Sequence, residues 1–295
     1  MEIVGAYACS HAGLLITRGD DAPVAQRDAV YAAFREMGEA IRAAKADAVV
    51  LVATDHGKIY PLSGVPQFTI GVSASAEGIG DAGLPPCTVP IHQAFAQAIL
   101  NGMIAEGVDL SFSETAKIDH SFVTPLMLAF GDAPIPIVPI AQNCNFPPLP
   151  TFARSYEVGA KLRRAIEAGP PGRVVMVGTG GLSHWVGTVE QQQFRRRPAG
   201  TRVNGGPSGA MVIDDVGEIN AAFDRDFIAT VCAGATASFV REWNDERVYV
   251  DAGNGAQEIR NWILLAGVMN DAKARLLAYE PVREWLTGTG IIAFN

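Results

Sequence analysis

The sequence predicts a layered α/β/α fold, in which helices cover both faces of a central, mostly parallel or mixed sheet. Two short apolar runs, Ala48–Ala53 and Arg173–Gly178, have the composition of strands that are buried on both faces. Amphipathic stretches separate such runs, and an alternation of β and α segments is typical of this fold class. Because 295 residues lie within the range of a large α/β domain, we expect a single domain over residues 1–295.

The first half of the chain begins with a predicted strand at Ile3–Cys9. Val24–Ala44 follows as a predicted helix, because apolar residues recur along one face of it at helical spacing. These residues are Val30, Phe34, Met37 and Ile41. The other elements predicted in this half are the strands Phe68–Val72, Val108–Phe112 and Ile135–Ile140 and a helix at Ile91–Ile104.

The second half combines one buried strand with three predicted helices. The strand is Arg173–Gly178, and the helices are Tyr156–Ala168, Asp215–Cys232 and Ala256–Met269. The segment Gln191–Val212 has no periodicity and contains three adjacent arginines, Arg195, Arg196 and Arg197. Loops are exposed by default, so we predict an exposed excursion there, mobile or close to the active site.

Charge and composition limit the classes of partner. The net charge of -8 argues against a surface for nucleic acid or for an anionic membrane. The longest apolar runs, such as Trp262–Met269, are too short to span a bilayer, and the N-terminus has no signal-peptide pattern. We therefore expect a cytoplasmic protein, with reduced thiols at its four widely spaced cysteines, Cys9, Cys87, Cys144 and Cys232.

Three of the five histidines lie at or soon after the carboxyl ends of predicted strands. His11 follows the first strand, His56 follows the AVVLVA run, and His184 follows the RVVMVG run. Because the carboxyl ends of parallel strands meet at one edge of a sheet, we expect these imidazoles to converge there. Imidazole binds metals and transfers protons near neutral pH, so the pattern indicates a metal or acid–base site.

A carboxylate would complete one familiar metal site, since two histidines and one carboxylate hold iron(II) in non-haem oxygenases. Asp55 and Asp119 each adjoin a histidine, but neighbouring residues of an extended segment point to opposite sides, which disfavours Asp55 as a partner of His56. Glu258 follows a turn and lies in the first turn of a predicted helix, where the helix dipole favours a carboxylate. From spacing alone, an ordinary carboxylate at a helix N-terminus is the favoured interpretation of Glu258.

Five short segments occur in one order along the chain: CSHAGLL, VATDH, KIDHSFVTPL, VGTGGLSHW and GNGAQEIRNW. Together with the closing YEPVREWLTGTG, they resemble the type II (class III) extradiol dioxygenases. This family includes the protocatechuate 4,5-dioxygenase catalytic subunit and 2,3-dihydroxyphenylpropionate 1,2-dioxygenase. The resemblance runs nearly from end to end, and the chain departs from it between Val186 and about Asp214.

This resemblance implies a single catalytic domain that opens a catechol-type ring with molecular oxygen in aromatic catabolism. It implies that His11, His56 and Glu258 bind iron(II), and that His184 is the acid–base residue beside the substrate hydroxyl. It implies that His120 is a second active-site histidine, which positions oxygen or protonates an intermediate. A homo-oligomer is expected, and some relatives work with a small accessory subunit that covers the active site.

The sequence is also compatible with other functions. The same scaffold could act on an aminophenol, a gallate-like ring or a hydroxypyridone, or it could be a non-catalytic metal-binding protein; a zinc hydrolase would use similar donors. Lys58 and Tyr60 are candidate contacts for a substrate carboxylate, and we predict a structural role for His92. Gly178–Gly181 lacks the Lys-Ser/Thr of a phosphate-binding loop, so we predict that it allows close backbone approach beside His184. No GxGxxG motif heads a βα unit, so no nicotinamide or flavin site is predicted.

Overall fold

The computed structural model describes residues 1–131, 133, 135–185 and 218–295. The strands in this part are β1 (Glu2–Cys9), β2 (Ala48–Ala53), β3 (Phe68–Gly71), β4 (Ser75–Gly78), β5 (Cys87–Pro90), β6 (Ser111–Ser113), β7 (Lys117–Ile118), β8 (Ile137–Gln142), β9 (Arg173–Thr179), β10 (Ala274–Val282) and β11 (Thr287–Phe294). The α-helices are α1 (Leu14–Thr17), α2 (Val24–Ala43), α3 (Gln93–Ala105), α4 (His120–Phe130), α5 (Phe152–Glu167), α6 (Ala221–Cys232), α7 (Thr236–Glu242), α8 (Asp245–Ala252) and α9 (Ile259–Val268).

Four parallel strands form the middle of the main sheet. Within the described residues this sheet has eight strands, in the order β10-β11-β1-β9-β2-β8-β3-β6, and β1, β9, β2 and β8 run parallel to one another. Cys9 of β1 lies beside Thr179 of β9, and Val52 of β2 lies beside Gly178. The segments that follow β1, β2 and β9 therefore leave the sheet side by side at one edge.

Helices flank the sheet in two groups. Helices α3, α5 and α9 pack together, and α9 also contacts β9, β1 and β2. Helices α2 and α4 pack against each other, and α4 contacts β2 and β9. The predicted inner face of α2 is buried at Val30, Phe34, Met37 and Ile41, and all six residues of β2 are buried. The predicted α/β class with a mixed central sheet is therefore confirmed.

Several elements depart from the sequence-based expectation. The strands β10 and β11 form a hairpin that joins β1 antiparallel at the sheet edge, and neither strand was predicted. The small sheet β5-β4-β7 and the helices α4, α7 and α8 were not predicted either. The predicted helix at Asp215–Cys232 begins only at Ala221 in the described part, and the first turn of Ala256–Met269 is a 3-10 helix, Gly255–Glu258.

Some predictions are not tested by this part of the chain. The predicted excursion Gln191–Val212, with Arg195, Arg196 and Arg197, lies outside the described residues. The single domain over residues 1–295 stays a prediction. All four cysteines are free thiols, as predicted. Among the helices described, none has the length and apolar character needed to cross a membrane.

Candidate metal centre and active site

A cavity of about 370 Å³ lies beyond the carboxyl ends of the parallel strands. Its polar lining brings together the five residues that the sequence singled out: His11, His56, His120, His184 and Glu258. The ring centroids of His11 and His56 are 5.5 Å apart, and those of His56 and His120 are 4.1 Å apart. The predicted convergence of the strand-ending histidines is therefore present in the folded chain.

Glu258 lies between the first two histidines. Its Oε2 is 3.0 Å from Nε2 of His11, and its Oε1 is 2.9 Å from Nε2 of His56. The backbone N–H of Gly181 donates a hydrogen bond to Oε2 at 2.8 Å, and the carboxylate is buried. Two imidazole nitrogens thus face the two oxygens of a single carboxylate.

A chain of hydrogen bonds sets the tautomer of His11. The hydroxyl of Thr179 donates to the backbone carbonyl of Ser121 at 2.9 Å, so its single proton is used there. In the 3.0 Å contact between His11 Nδ1 and Thr179 Oγ1, the donor is therefore Nδ1–H of His11. In neutral His11 this arrangement leaves the lone pair on Nε2, the atom that faces Glu258.

His56 is held from behind by Asp119, which is fully buried. Oδ2 of Asp119 accepts from Nδ1 of His56 at 2.9 Å and from its backbone N–H at 3.0 Å. The other oxygen, Oδ1, accepts from the backbone N–H and the hydroxyl of Ser121. A carboxylate behind an imidazole orients the ring and increases the basicity of its far nitrogen, as is common around metal-binding histidines.

Burial and charge act in opposite directions at this cluster. Burial lowers the pKa of His11 below its ordinary value. Burial also acts to lower the pKa of His56, but Asp119 and Glu258 outweigh it and raise that pKa to about 10. Burial acts to raise the pKa of Glu258, yet the facing imidazoles His11 and His56 hold it well below its ordinary value. Glu258 is consequently an ionised carboxylate.

The contact between His11 and Glu258 fits a bound cation. Nε2 of His11 is buried and has no hydrogen-bond partner among the described residues, although it lies 3.0 Å from Oε2 of Glu258. A neutral imidazole nitrogen and an ionised carboxylate oxygen are both acceptors, so they repel each other unless a proton or a cation lies between them. Two neutral imidazoles and one carboxylate are the donor set of non-haem iron(II) sites, and a bound metal would displace the proton that the raised pKa leaves on His56. These residues therefore fit a divalent metal ion.

His184 is packed between two glycines. Its Nδ1 donates to the carbonyl of Leu182 at 2.8 Å, so Nε2 is the basic nitrogen of the neutral ring. A Cβ on Gly181 would lie 2.4 Å from Cε1 of His184, and a Cβ on Gly255 would lie 2.0 Å from Nε2. The predicted close backbone approach beside His184 is confirmed for Gly181, while the sequence did not indicate Gly255.

The start of α9 is fastened to the end of β9. The side-chain amide of Asn261 donates to the carbonyl of Thr179 at 2.7 Å, and the indole N–H of Trp262 donates to the carbonyl of Gly180 at 3.0 Å. A Cβ on Gly180 would lie 2.3 Å from the carbonyl oxygen of Glu258, so only glycine permits this approach. These contacts bring Glu258 to the same edge as the strand-ending histidines.

His120 is the first residue of α4 and is held by Asp81. The two oxygens of Asp81 contact the backbone N–H of His120 at 2.8 Å and its Nδ1 at 2.5 Å. The possible ligand atoms of His11, His56 and His120 lie within 4.8 Å of one another, as do those of Asp81, Asp119 and His120. His120 is thus close enough to act beside a metal held by His11 and His56, while its Nδ1 is committed to Asp81.

Some sequence-based candidates lie elsewhere. Lys58 and Tyr60 do not line the cavity, so the expectation that they contact the substrate is wrong for this cavity. Their backbone amides, with that of Ile59, donate to the carboxylate of Asp55, which therefore shapes this loop and is not directed at the histidines. His92 caps α3 by accepting from the N–H of Phe95, which confirms its structural role.

Sequence reasoning missed the residues that support the histidines. Asp81 and Thr179 are distant in sequence from the histidines they contact, and no local pattern marks either one. Asp119 was considered only as a ligand, but in the structure it supports His56 and caps α4. The one available signal was the Asp-His pair in KIDHSF, since aspartate directly before a helix is typical of an N-cap.

Comparison with known proteins places these observations in a family context. The family profile described as "Catalytic LigB subunit of aromatic ring-opening dioxygenase" matches residues 5–290. A 2,3-dihydroxyphenylpropionate/2,3-dihydroxicinnamic acid 1,2-dioxygenase from Photorhabdus laumondii is 28% identical over 295 residues, which cover 92% of this chain and 91% of the relative. One of the same name from Rhodococcus jostii is 29% identical over 304 residues, covering 94% of each chain.

A solved structure with a similar fold comes from Escherichia coli K12. It is the crystal structure of an uncharacterized protein, which aligns with a TM-score of 0.58 and 12% sequence identity. The alignment covers 99% of this chain and 100% of that one. At this level of identity the likeness concerns the fold alone.

Proposed function

Because this chain belongs to the family of catalytic LigB subunits of aromatic ring-opening dioxygenases, we propose that it performs extradiol cleavage of a catechol-type ring with molecular oxygen at an iron(II) site. The chain is accordingly an oxidoreductase that acts as a dioxygenase. The relatives from Photorhabdus laumondii and Rhodococcus jostii are named for substrates with two adjacent hydroxyls on the ring. For this chain we propose only that the substrate contains the catechol unit. The side chain of the relatives' substrates is not part of the proposal.

The observation that carries the proposal is the contact of one carboxylate with two imidazoles. Nε2 of His11 and Nε2 of His56 lie 3.0 and 2.9 Å from the two oxygens of Glu258, inside a cavity. We assign His11, His56 and Glu258 as the iron ligands, because two histidines and a carboxylate leave positions for substrate and oxygen. His120 is the weaker candidate for a third ligand, since the two oxygens of Glu258 contact Nε2 of His11 and Nε2 of His56.

When bound, iron(II) supplies the Lewis acidity and one-electron redox chemistry that allow molecular oxygen to react with the ring. The protein's own part is to bind the ring and to move protons. His184, whose Nδ1 donates to Leu182, holds a basic Nε2 that would take a proton from a substrate hydroxyl and later return it. An imidazole is suited to this task near neutral pH.

His120 supplies a second imidazole on the same cavity wall. Its ring centroid lies 4.1 Å from that of His56 and 5.9 Å from that of His11. Asp81 fixes the ring through Nδ1, so Nε2 is the atom available to donate or accept a hydrogen bond in the cavity. This arrangement supports a role for His120 in positioning oxygen or in protonating an intermediate.

Location and assembly are also proposals. We infer a cytoplasmic enzyme from the four free cysteines, which are typical of a reducing compartment. We infer a homo-oligomer from the resemblance to dioxygenases that form oligomers. A small accessory subunit is a second proposal. Size-exclusion chromatography with multi-angle light scattering tests the assembly.

The decisive experiment is oxygen uptake by protein loaded anaerobically with iron(II). The panel contains catechol, protocatechuate, gallate, 2,3-dihydroxyphenylpropionate, an aminophenol and a dihydroxypyridine, with wild type beside His184→Ala and Glu258→Ala. We expect stoichiometric uptake with a yellow product on at least one catechol, loss of activity in both variants, and loss on chelation of the metal.

The alternatives give different results in the same experiment. Uptake confined to the aminophenol or to the pyridine would replace the catechol as substrate class. Metal bound without oxygen uptake on any ring would overturn the dioxygenase proposal in favour of a metal-binding protein. Hydrolysis restored by zinc without oxygen uptake would indicate a hydrolase.

A further inference from the structure

Part of the cavity lining is made of apolar side chains. We propose that this apolar wall, formed by Leu14, Ala82 and Leu286, receives an uncharged alkyl substituent of the ring, so that alkylcatechols are preferred over catechols with a carboxylate side chain. The inference rests on the proposed function and adds the substrate class. All three residues line the same cavity as His11, His56 and Glu258.

Leu286 has a backbone conformation that leucine rarely adopts. It follows a short 3-10 helix, Arg283–Trp285, with φ 60° and ψ 17°, and it is buried. This left-handed region is unfavourable for a bulky side chain and is usually occupied by glycine or asparagine. Trp285 fixes the turn, because its indole N–H donates to the carbonyl of Arg18 at 3.1 Å and its ring stacks on Tyr31.

Ala82 shows the same combination of strain and placement. Its φ is 51°, and its Cβ lies so close to Gly13 that a Cβ on Gly13 would be 2.7 Å away. The preceding residue, Asp81, holds His120, so one loop supplies both a support for an active-site histidine and a part of the apolar wall. Strained non-glycine residues concentrate where the surrounding structure imposes them for function.

The other positive-φ residues give a useful contrast. Among the described residues other than glycine, five have a positive φ, and the remaining three are Lys45, Asn270 and Asp271. None of these three lines the cavity. At Leu286 and Ala82, by contrast, an unfavourable backbone conformation is combined with an apolar residue in the lining of the cavity.

Electrostatics of the cavity support an uncharged substituent. Within the described residues, its ionisable lining consists of four histidines and Glu258, which the proposed function assigns to metal, oxygen and ring hydroxyls. A substrate carboxylate against Leu14, Ala82 and Leu286 would lose its hydration without gaining a cationic partner from that wall. An alkyl group would instead replace water at an apolar surface, which is favourable.

A matched pair of substrates tests the inference. 3-Propylcatechol and 2,3-dihydroxyphenylpropionate differ mainly in the end of a three-carbon chain, as methyl or as carboxylate. For the iron(II)-loaded enzyme we expect kcat/KM of oxygen uptake to favour 3-propylcatechol by at least about 10-fold, the scale set by small differences in an apolar pocket. Anaerobic calorimetric titration with both compounds gives the same comparison without turnover.

Variants then assign the preference to the wall. Leu286→Asn tolerates the left-handed backbone but adds polar atoms, and Leu286→Gly removes the side chain. Both are expected to lower the ratio of kcat/KM for 3-propylcatechol to that for catechol by about 10-fold. This ratio does not depend on the folded fraction of the protein, because both kcat/KM values are measured on the same enzyme preparation. Lys45→Gly is the matched control, a positive-φ substitution outside the cavity, and it is expected to leave the ratio unchanged.

The outcomes separate the two proposals. Equal or better cleavage and binding of 2,3-dihydroxyphenylpropionate by wild type would overturn the apolar-substituent inference while leaving the dioxygenase proposal intact. An unchanged ratio in both Leu286 variants would also overturn it. If no ring were cleaved with iron bound, the proposed function would fail, and the calorimetric comparison would still decide whether the wall prefers an alkyl group.

Discussion

Asp119 holds His56 at two points, through the imidazole Nδ1 at 2.9 Å and through the backbone N–H at 3.0 Å. Both bonds go to the same carboxylate oxygen, Oδ2, while Oδ1 caps α4. Burial acts to raise the pKa of Asp119, but the neighbouring His56 keeps it well below its ordinary value. An ionised, buried carboxylate thus fixes the direction in which His56 presents Nε2 to Glu258.

The first prediction concerns the two hydrogen bonds that His56 donates to Asp119. Asp119→Asn retains a good N-cap for α4 but removes the charge behind His56. We expect the dissociation constant for iron(II) to rise by about 10- to 100-fold, as is typical when the partner of a metal-binding histidine is lost. Anaerobic competition against a chelator measures it. Asp81→Asn, which alters the support of His120, is the matched control and should change the affinity less. Equal effects of both substitutions would contradict the assignment of His56 over His120.

A second prediction separates proton transfer from metal binding. His184→Ala removes the proposed acid–base group, so we expect kcat to fall by about 10²- to 10⁴-fold. The metal affinity should be retained, because His184 is not among the proposed ligands. Glu258→Gln should show the opposite pattern, with metal binding lost first. Loss of iron from His184→Ala, measured by metal analysis after desalting, would count against its proposed role.

A third prediction uses the glycine beside His184. In Gly255→Ala the new Cβ would lie 2.0 Å from Nε2 of His184, and its three nearest neighbours are all atoms of that ring. The imidazole can move aside, so we expect activity to fall by about 100-fold, the cost of a small misplacement in an active site. Thermal stability should change little. Gly64→Ala is the control, because nothing lies within 4 Å of the added Cβ there. Full activity of Gly255→Ala would show that the position of His184 does not limit the rate.

A fourth prediction concerns pH and Asp224, which is fully buried beneath the His184 loop. Asp224 accepts hydrogen bonds from the backbone N–H and hydroxyl of Ser183 and from the hydroxyl of Tyr279. Burial raises its pKa from 3.8 to about 6, although these donors oppose the rise. The folded state therefore binds a proton more tightly than the unfolded state does. The resulting stability is fully present below about pH 4 and is lost as the pH rises through about 6, by about 3 kcal/mol in all.

Asp224→Asn removes this titration and serves as the test. The melting temperature of the metal-free wild type, relative to that of the variant, should fall between pH 4 and pH 7 and stay constant above that range. Calorimetry of the two proteins side by side measures it. Parallel pH profiles for wild type and variant would mean that Asp224 keeps the same proton affinity in both states.

Local sequence was sufficient for the elements that form the centre of the fold. The continuous apolar run of β2 and the one-sided periodicity of α2 predict these elements correctly, because burial alone accounts for both patterns. The hairpin β10–β11 has no comparable pattern. Its strands acquire their conformation by pairing with each other and with β1, a contact between opposite ends of the chain.

At the functional site, too, local sequence predicts one part and only the tertiary structure shows the other. That His11, His56 and His184 meet follows from the chain itself, because each lies after a parallel strand and such strands end at one edge. The folded chain alone showed what supports and surrounds them: Thr179 behind His11, Asp119 behind His56, Asp81 behind His120, and Leu286 in the lining of the same cavity. Strand ends are set by short-range patterns of burial, whereas these contacts join residues far apart in sequence, and only the packing of the sheet, the helices and the loops brings them within hydrogen-bond or van der Waals distance.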